Sequence, residues 1–444
     1  MHLKPIGLIV VAASLLAPLY WLQPLASKFD SAALFSQYLG IVALIAMSLG
    51  QIIATRLRLV ETLFGGLDRG YILHKWLGIG AMVAILLHDT IDAEMDGLGR
   101  ENFLTDIAET AGEISLYGIL ILVVITIATF IPYQLWRWTH KILGVFFVFS
   151  ALHYLFILKP FSNFDPVGWY VSIYCLLGIL AFVYKLAPSW LRRSYSYIVT
   201  DIQNQGDAVA VSLKPVKRAL KYRAGQFAFF TFGGSGLSEA HPFTISKAPD
   251  QNGELRVTVA ALGDYTSQLP QRVALGSTVS VEGPFGRFEK KSGKNPQIWV
   301  AAGIGVTPFV AWAQSLTEAD GQVLMFYCVR SVDEAVHVAE LQRIADQNPN
   351  FTLVLHESQV SKRLTAKGLM ATAQSQLAVP PQKMQVYFCG PKSMRKTLIT
   401  GLAKLGVAKR RVHFEEFEIR SGIGLRALFQ LLRNQLEARA KNSK

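Results

Sequence analysis

The chain is 444 residues long, 51% hydrophobic and 17% charged, with a formal net charge of +13 and a mean hydropathy of +0.31. That is too apolar for an ordinary soluble protein, and the apolar stretches fall almost wholly before residue 190, so a membrane-embedded first half and a water-soluble second half are expected. The positive charge gathers at loop ends and in the carboxyl tail, which suits anionic lipid and excludes nucleic acid as the partner. Three cysteines, Cys175, Cys328 and Cys389, form no CxxC and cannot all pair, against a cysteine-ligated metal.

Six membrane spans are predicted, over residues 6–25, 35–54, 71–92, 111–134, 140–158 and 167–186, each near the roughly 20 residues a helix needs to cross. The first also has the look of a signal peptide, with Lys4 ahead of an apolar run and Ala26 near a cleavage point; the absence of a clear A-x-A site favours a retained span. Arg56, Arg58, Arg69 and Lys75 flank the second connection, Arg137 and Lys141 the fourth, and Arg192 and Arg193 follow the last span, whereas the third connection, residues 89–109, is predominantly acidic. The positive-inside rule then puts the amino terminus and everything beyond Tyr195 in the cytoplasm.

Four histidines lie in these spans in two pairs, His74 with His88 and His140 with His153. Intramembrane imidazoles are expensive and mark function by default. His74 and His88 are fourteen residues apart, about 21 Å along a helix and within roughly 40° of the same face. The thirteen-residue step from His140 to His153 leaves an ideal helix roughly 140° out of phase; Thr139 as N-cap would place His140 in an unsettled first turn that absorbs the difference. The two spans run in the same direction, so His74 pairs in depth with His140, and His88 with His153. Two stacked bis-histidine sites are what two b-type haems need: an inner haem on His74 and His140, an outer one on His88 and His153. Six-coordinate iron favours moving single electrons over oxygenase chemistry. Phe146 falls between the two levels, where it either separates the macrocycles or simply packs.

From about Tyr195 short β-rich runs alternate with turns (YSYIVT, AVAVSL, GQFAFFTF, ELRVTVAAL, STVSVEGPFG), which predicts a small antiparallel β-barrel. After Gln297 the pattern becomes strand, glycine turn and helix, IWVAAGIGVTPFVAWAQSL, a βα unit of a parallel nucleotide-binding sheet. There Gly303 and Gly305 let backbone approach a pyrophosphate, Thr307 is a natural N-cap and Pro308 a natural first helical residue, although the run departs from GxGxxG. MQVYFCGP ends another strand at Cys389, Gly390 and Pro391, where the carboxyl end of a parallel strand faces ligand; a cysteine there also serves as a small buried hydrophobe.

HPFTIS (His241 to Ser246), AAGIGVTPF (Ala301 to Phe309) and FCGP (Phe388 to Pro391), in that order behind the four histidines, resemble the NADPH oxidase and ferric reductase superfamily, in its prokaryotic form, over nearly the whole chain. The resemblance implies a six-helix bis-haem membrane domain over residues 1–190, an FAD-binding β-barrel over 195–290, an α/β Rossmann-like NADPH domain over 295–417 and a basic amphipathic extension over 418–444. It implies that His241, Pro242, Phe243, Thr244 and Ser246 contact FAD, with Thr244 near the isoalloxazine and His241 toward the pyrophosphate, and that Gly263 and Thr266 form a second FAD phosphate loop. Gly303, Gly305, Thr307 and Pro308 would bind the dinucleotide pyrophosphate, Cys389, Gly390 and Pro391 would line the nicotinamide, and Phe417 would cover the flavin. Thr244, Cys389 and Phe417 are thereby the candidate catalytic residues. Arg330 and Ser331, just past the strand VLMFYCV, suit the 2′-phosphate of NADPH, while Asp333 and Glu334 keep NADH open.

The activity implied is electron transfer from cytoplasmic NADPH through FAD and two haems to an acceptor across a bacterial inner membrane: oxygen, giving superoxide, or else a ferric chelate or an extracytoplasmic protein. In animal oxidases a second histidine follows the outer ligand by one helical turn; here that position is Asp92. A flavin reductase tethered by a haem-free anchor is the reading from a different class.

Overall fold

The computed structural model describes residues 4–91, 95, 98, 100–127, 133–187, 194–234, 237–291, 293–377 and 380–415. The chain divides into two compact units, one ending at residue 187 and one spanning residues 188–417, and each is described by itself. Asp92, Arg192, Arg193, Phe417 and the extension 418–444 lie outside the described residues.

The first unit is helical: α1 (Pro5–Leu22), α2 (Ser31–Ala54), α3 (Arg58–Phe64), α4 (Leu67–Thr90), α5 (Phe103–Ile127), α6 (Tyr133–Phe156) and α7 (Pro166–Leu186). All but α3 are long and apolar enough to cross a membrane, as the sequence predicts. Prolines at the first helical position start α1 and α7, where the missing N–H is no loss. The Asp30 carboxylate caps α2, accepting from the N–H groups of Ala32 and Ala33 at 2.8 and 3.0 Å. α2 is the central helix, with Ile45 and Ser48 fully buried; it packs along α4 and α7, while α5 and α6 pair along their length.

The helices α2 and α4 start slightly ahead of the predicted spans, and two starts differ by more than a helical turn and a half. α5 begins at Phe103 instead of residue 111, because Asn102 accepts from the N–H groups of Leu104 and Thr105. Asp106 and Glu109, assigned to the loop, therefore lie in the first turns of the helix, where carboxylates complement its dipole. α6 begins at Tyr133, so Thr139 is no N-cap: its hydroxyl donates to the carbonyls of Leu135 and Trp136 within a continuous helix. The short helix α3 was not foreseen.

The second unit opens with an antiparallel sheet of β1 (Ser194–Gln205), β2 (Ala208–Pro215), β3 (Phe227–Phe232), β4 (His241–Thr244), β5 (Leu255–Ala260) and β6 (Thr278–Phe285), with α8 (Asp264–Arg272) between the last two. The strand order is β4-β3-β6-β1-β2-β5. Its edge strands meet where Ile245 bridges Val257 and the Ser246 N–H donates to Arg256 O at 2.7 Å. Tyr197, Val211, Leu213, Phe230, Val257 and Val281 fill the interior.

A parallel sheet follows, of order β11-β10-β7-β8-β9, built from β7 (Gln297–Ala302), α9 (Thr307–Gln314), β8 (Val323–Val329), α10 (Val338–Gln347), β9 (Phe351–Glu357), α11 (Ala366–Leu377), β10 (Gln385–Cys389), α12 (Lys392–Lys404) and β11 (Val412–Phe414). Side chains alternate between its faces: Trp299 packs with Phe309 and Trp312 of α9, whereas Ile298 and Val300 pack with Leu369 of α11 and Leu398 of α12. Both faces are covered, as a parallel sheet requires, and each fully buried large side chain contributes roughly 1.5–3 kcal/mol. The chain leaves β7 toward β8 and β9, then crosses to β10 and β11, so the order reverses between β7 and β10. Ligands bind outside the carboxyl ends of strands at such a point.

Candidate functional site

His74 and His140 are each the eighth residue of their helices, and His88 and His153 each sit in the last turn. The depth matching expected from the sequence is therefore present. The rings of His74 and His140 are 5.8 Å apart between centroids. Two imidazoles sharing one metal at about 2.0 Å each have ring centres roughly 6 Å apart.

Each imidazole is held through Nδ1 by a neighbouring helix. His74 is bonded to Gly50 O at 2.9 Å and His88 to Ser36 O at 2.9 Å, both on α2; on α5, His153 is bonded to Ala108 O at 2.9 Å and His140 to the Thr126 hydroxyl at 3.3 Å. A carbonyl only accepts, so Nδ1 carries the proton in His74, His88 and His153, and Nε2 bears the lone pair. Among the described residues no protein group bonds Nε2 of any of the four. This is the outer-shell arrangement of a metal-ligating histidine. Among the described residues there is no cluster of three or more metal-binding side chains, so the donor set is two imidazoles per level, which fits a haem whose ring supplies the remaining ligands. The α5 backbone is bare where it meets α6: a Cβ on Gly112 would lie 2.6 Å from His153 Nδ1, and one on Gly118 would collide with the ring of Phe146. Phe146 thus packs against α5. Trp136 lies parallel to the His140 ring at 5.2 Å.

In the second unit β4 carries His241, Pro242, Phe243 and Thr244. His241 stacks on Tyr265 at 3.7 Å and its Nε2 faces Glu239 at 3.3 Å. Tyr265 belongs to α8, whose amino terminus is tightened by the Thr266 hydroxyl accepting from the N–H groups of Leu262 and Gly263, both at 3.0 Å. The stack thereby brings His241 beside a helix amino terminus, a ready anion site. Tyr265 was not singled out from sequence, although it lies inside GDYTSQL. Thr244 is 6% exposed. Ser246 is fully buried and its hydroxyl meets that of Thr258 at 2.9 Å, so it faces protein.

At the switch point the two glycine turns touch backbone to backbone: a Cβ on Gly305 would meet the carbonyl of Cys389, and one on Gly390 would lie 2.7 Å from Ala302 Cβ. Gly303 takes a left-handed φ of +53° that begins a short 3-10 turn. Thr307 is accordingly the first residue of α9 and not its cap; its hydroxyl donates to Ile304 O, and Pro308 is the second helical residue. Cys389 is fully buried among aromatic side chains including Tyr387, and burial, with the nearby Glu415 carboxylate, pushes its thiol well above the usual range. Gly390 and Pro391 are what this strand end exposes. Arg330 is exposed and lies 3.9 Å from Glu334, one of the two acids that keep NADH open. Glu415, in the segment HFEEF, is 7% exposed and close to both Cys389 and Gly286, a placement the sequence did not signal.

Residues 39–151 match the family described as ferric reductase like transmembrane component, residues 196–289 an FAD-binding domain and residues 299–399 an oxidoreductase NAD-binding domain. The chain is 29% identical to the ferredoxin reductase component of 3-ketosteroid-9-alpha-monooxygenase from Rhodococcus rhodochrous over 45% of this chain and 57% of that one. It is 25% identical to ferric reduction oxidase 7, chloroplastic, from Arabidopsis thaliana over 71% of this chain and 45% of that one, so it spans only about half the length of these curated relatives. Among solved structures, flavohemoglobin from Malassezia yamatoensis aligns over 89% of this chain and 98% of its own at 16% identity and a TM-score of 0.47. The FAD/NAD binding domain of nitric oxide dioxygenase from Vibrio cholerae aligns over 51% and 99% at 21% identity and a TM-score of 0.43. The chain joins a ferric-reductase-like transmembrane component to FAD-binding and NAD-binding oxidoreductase domains, and in that content and order it matches the NADPH oxidase and ferric reductase superfamily of membrane oxidoreductases.

Proposed function

We propose that this protein moves electrons from NADPH through FAD and two b-type haems to an acceptor on the far side of a bacterial inner membrane, with oxygen reduced to superoxide. The observation that carries the reading is the arrangement of four imidazoles in two levels, each held at Nδ1 by a neighbouring helix and each with Nε2 unbonded among the described residues. When bound, the cofactors supply hydride acceptance and one-electron relay, chemistry that is theirs and not the protein's.

The residues bind, orient and exclude. His74 and His140 would hold the inner haem, and His88 and His153 the outer; held by a histidine pair at each level, the haems would supply one-electron transfer to the acceptor. His241, stacked on Tyr265 at the amino terminus of α8, receives the FAD pyrophosphate, and Thr244 positions the isoalloxazine. The turn from Gly303 to Thr307 receives the dinucleotide pyrophosphate, Gly390 and Pro391 border the nicotinamide, and Arg330 takes the 2′-phosphate in place of its weak pairing with Glu334. The Lys and Arg bias of the connections supports a cytoplasmic position for the dehydrogenase unit.

A second reading, ferric-chelate reduction, is favoured by the match to a ferric reductase transmembrane component and by the similarity to ferric reduction oxidase 7. One experiment separates the readings. Purified protein loaded with haem and FAD is given NADPH and cytochrome c in air, with and without superoxide dismutase, beside an anaerobic assay with a ferric chelate. Suppression by dismutase supports oxygen. Insensitivity with fast anaerobic iron reduction replaces it with the ferric reading, and absence of a Soret band overturns the haem relay itself.

A further inference from the structure

The stretch between β8 and α10 carries Arg330 and both acids, Asp333 and Glu334, and it is fastened to the antiparallel sheet at three points. The turn between β1 and β2 places Gly206, at φ +56°, against it: a Cβ there would lie 2.9 Å from Asp333 O. Next in the turn, the Gln205 side-chain oxygen accepts from the His337 N–H at 2.8 Å. On β5, the Thr258 hydroxyl meets His337 Nε2 at 2.7 Å.

His337 closes the stretch. It has φ +60°, a left-handed conformation that a non-glycine residue keeps only where its neighbours over-determine it, and its side chain is 1% exposed. Nδ1 donates to the Glu340 carboxylate at 3.1 Å, and that carboxylate also receives Arg256 of β5 at 3.0 Å and Gln314 of α9. With Nδ1 donating, Nε2 accepts the Thr258 proton, and the Thr258 hydroxyl meets that of Ser246, two residues beyond Thr244, at 2.9 Å. A chain of hydrogen bonds therefore runs from the FAD-binding sheet to the end of the loop that starts at Arg330.

We infer that Gly206, Thr258 and His337 form a clamp by which the FAD-binding sheet sets the shape of the loop that reads the 2′ position of the dinucleotide. The preference for NADPH over NADH then depends on residues that never touch the nucleotide. The inference rests on the reading of Arg330 as the 2′-phosphate residue. The clamp keeps Glu334 within 3.9 Å of Arg330 but not in tighter contact; once it is released, the two acids are free to move onto the guanidinium and exclude phosphate. His337, Thr258 and Gly206 are positioning residues.

The test compares kcat and KM for NADPH and for NADH in the full-length, FAD-loaded protein with a soluble dye as acceptor. His337→Ala should lower the NADPH to NADH ratio of kcat/KM by about three- to tenfold, the range one lost buried hydrogen bond produces. The change should lie in KM for NADPH, with kcat and the FAD to protein ratio unchanged. His337→Asn, tolerant of the left-handed conformation and able to accept from Thr258, should restore most of it. Thr258→Val should act in the same direction without adding to His337→Ala, and it carries the test if His337→Ala does not accumulate. A ratio within about twofold of the parent, or an equal fall for both nucleotides with loss of FAD, overturns the clamp. Arg330→Ala separates the two ideas. If it collapses the ratio while His337→Ala does not, the clamp alone is wrong; if it leaves the ratio intact, the assignment of the loop falls and the clamp with it.

Discussion

Gly112→Ala probes the proposed outer haem site without altering either histidine assigned to it. The new methyl would stand 2.6 Å from His153 Nδ1 and 3.0 Å from Cε1. Carbon contacts settle near 3.5–4.0 Å, so the ring must retreat by about 1 Å. The 2.9 Å bond from Nδ1 to Ala108 O then lengthens to about 3.9 Å, outside hydrogen-bond range. Loss of such an outer-shell partner weakens a metal site roughly 10- to 100-fold, about 1.4–2.7 kcal/mol. The haem content of purified protein, read as pyridine haemochrome against protein mass, should therefore fall from two per chain toward one, while NADPH-driven reduction of a flavin-directed dye persists. Gly118→Ala is the control, since it crowds the ring of Phe146 on the same helix and no imidazole. Full haem content with an unchanged reduced spectrum in Gly112→Ala, or loss of the same haem in Gly118→Ala, would refute the reasoning.

Exchanging His88 for leucine should abolish reduction of the far-side acceptor and leave NADPH-dependent flavin reduction intact; acceptor reduction at the parent rate would remove the two-haem relay. Burial pushes the Glu340 carboxyl up, but His337, Arg256 and Gln314 outweigh it and hold it at about 2, against an ordinary 4.5. A depressed carboxyl stabilises the fold above its unfolded value and loses that contribution as pH falls from about 4.5 through about 2. His337, held by burial below its ordinary 6.5, adds a loss in the same direction that begins at higher pH. Glu340→Gln should therefore flatten the lower part of a plot of thermal midpoint against pH, and a profile parallel to that of the parent would show that the carboxylate is unpaired in solution. Gly305→Ala forces a methyl into the Cys389 backbone, 2.7 Å from its carbonyl carbon, and should raise KM for NADPH more than tenfold with FAD content unchanged; an unaltered KM would place the dinucleotide elsewhere. Cys389, fully enclosed and protonated, should resist iodoacetamide in the native protein at pH 7.5, as read by peptide mass spectrometry, and rapid labelling would show that the strand end opens.

The spans and the paired depth of the histidines were legible because both depend on spacing along one helix. What was not legible depends on a partner from elsewhere in the chain. The helix start at Phe103 was missed since the Asn102 side chain satisfies end groups that hydropathy does not register, and α6 runs back to Tyr133, ahead of the span read from hydropathy. The thirteen-residue step was expected to need a frayed turn at Thr139; instead the helix runs through, and hydrogen bonds to Thr126 and Ala108 draw both imidazoles toward α5. In the soluble half the strand–turn–helix pattern located Gly303 and Gly305 but mistook Thr307 for a cap, because the 3-10 turn ahead of it already supplies the entry. His337 and Glu340 carry no local signature at all: their network is assembled from Gln205, Thr258, Arg256 and Gln314, residues 26 to 132 positions away for the bonds at its centre.

Three of the four imidazoles are oriented by main-chain carbonyls, those of Gly50, Ser36 and Ala108. A carbonyl survives almost any substitution of the residue that bears it, so the aim of these rings is written into the helix path and is shielded from point mutation. His88 Nδ1 also meets the Ser36 hydroxyl at 2.9 Å, whereas His140 is oriented, among the described residues, by a side chain without a carbonyl, the Thr126 hydroxyl. Tolerance to sequence drift is thus uneven among the four imidazoles: three are aimed by the backbone, and the fourth can be retuned by a single codon.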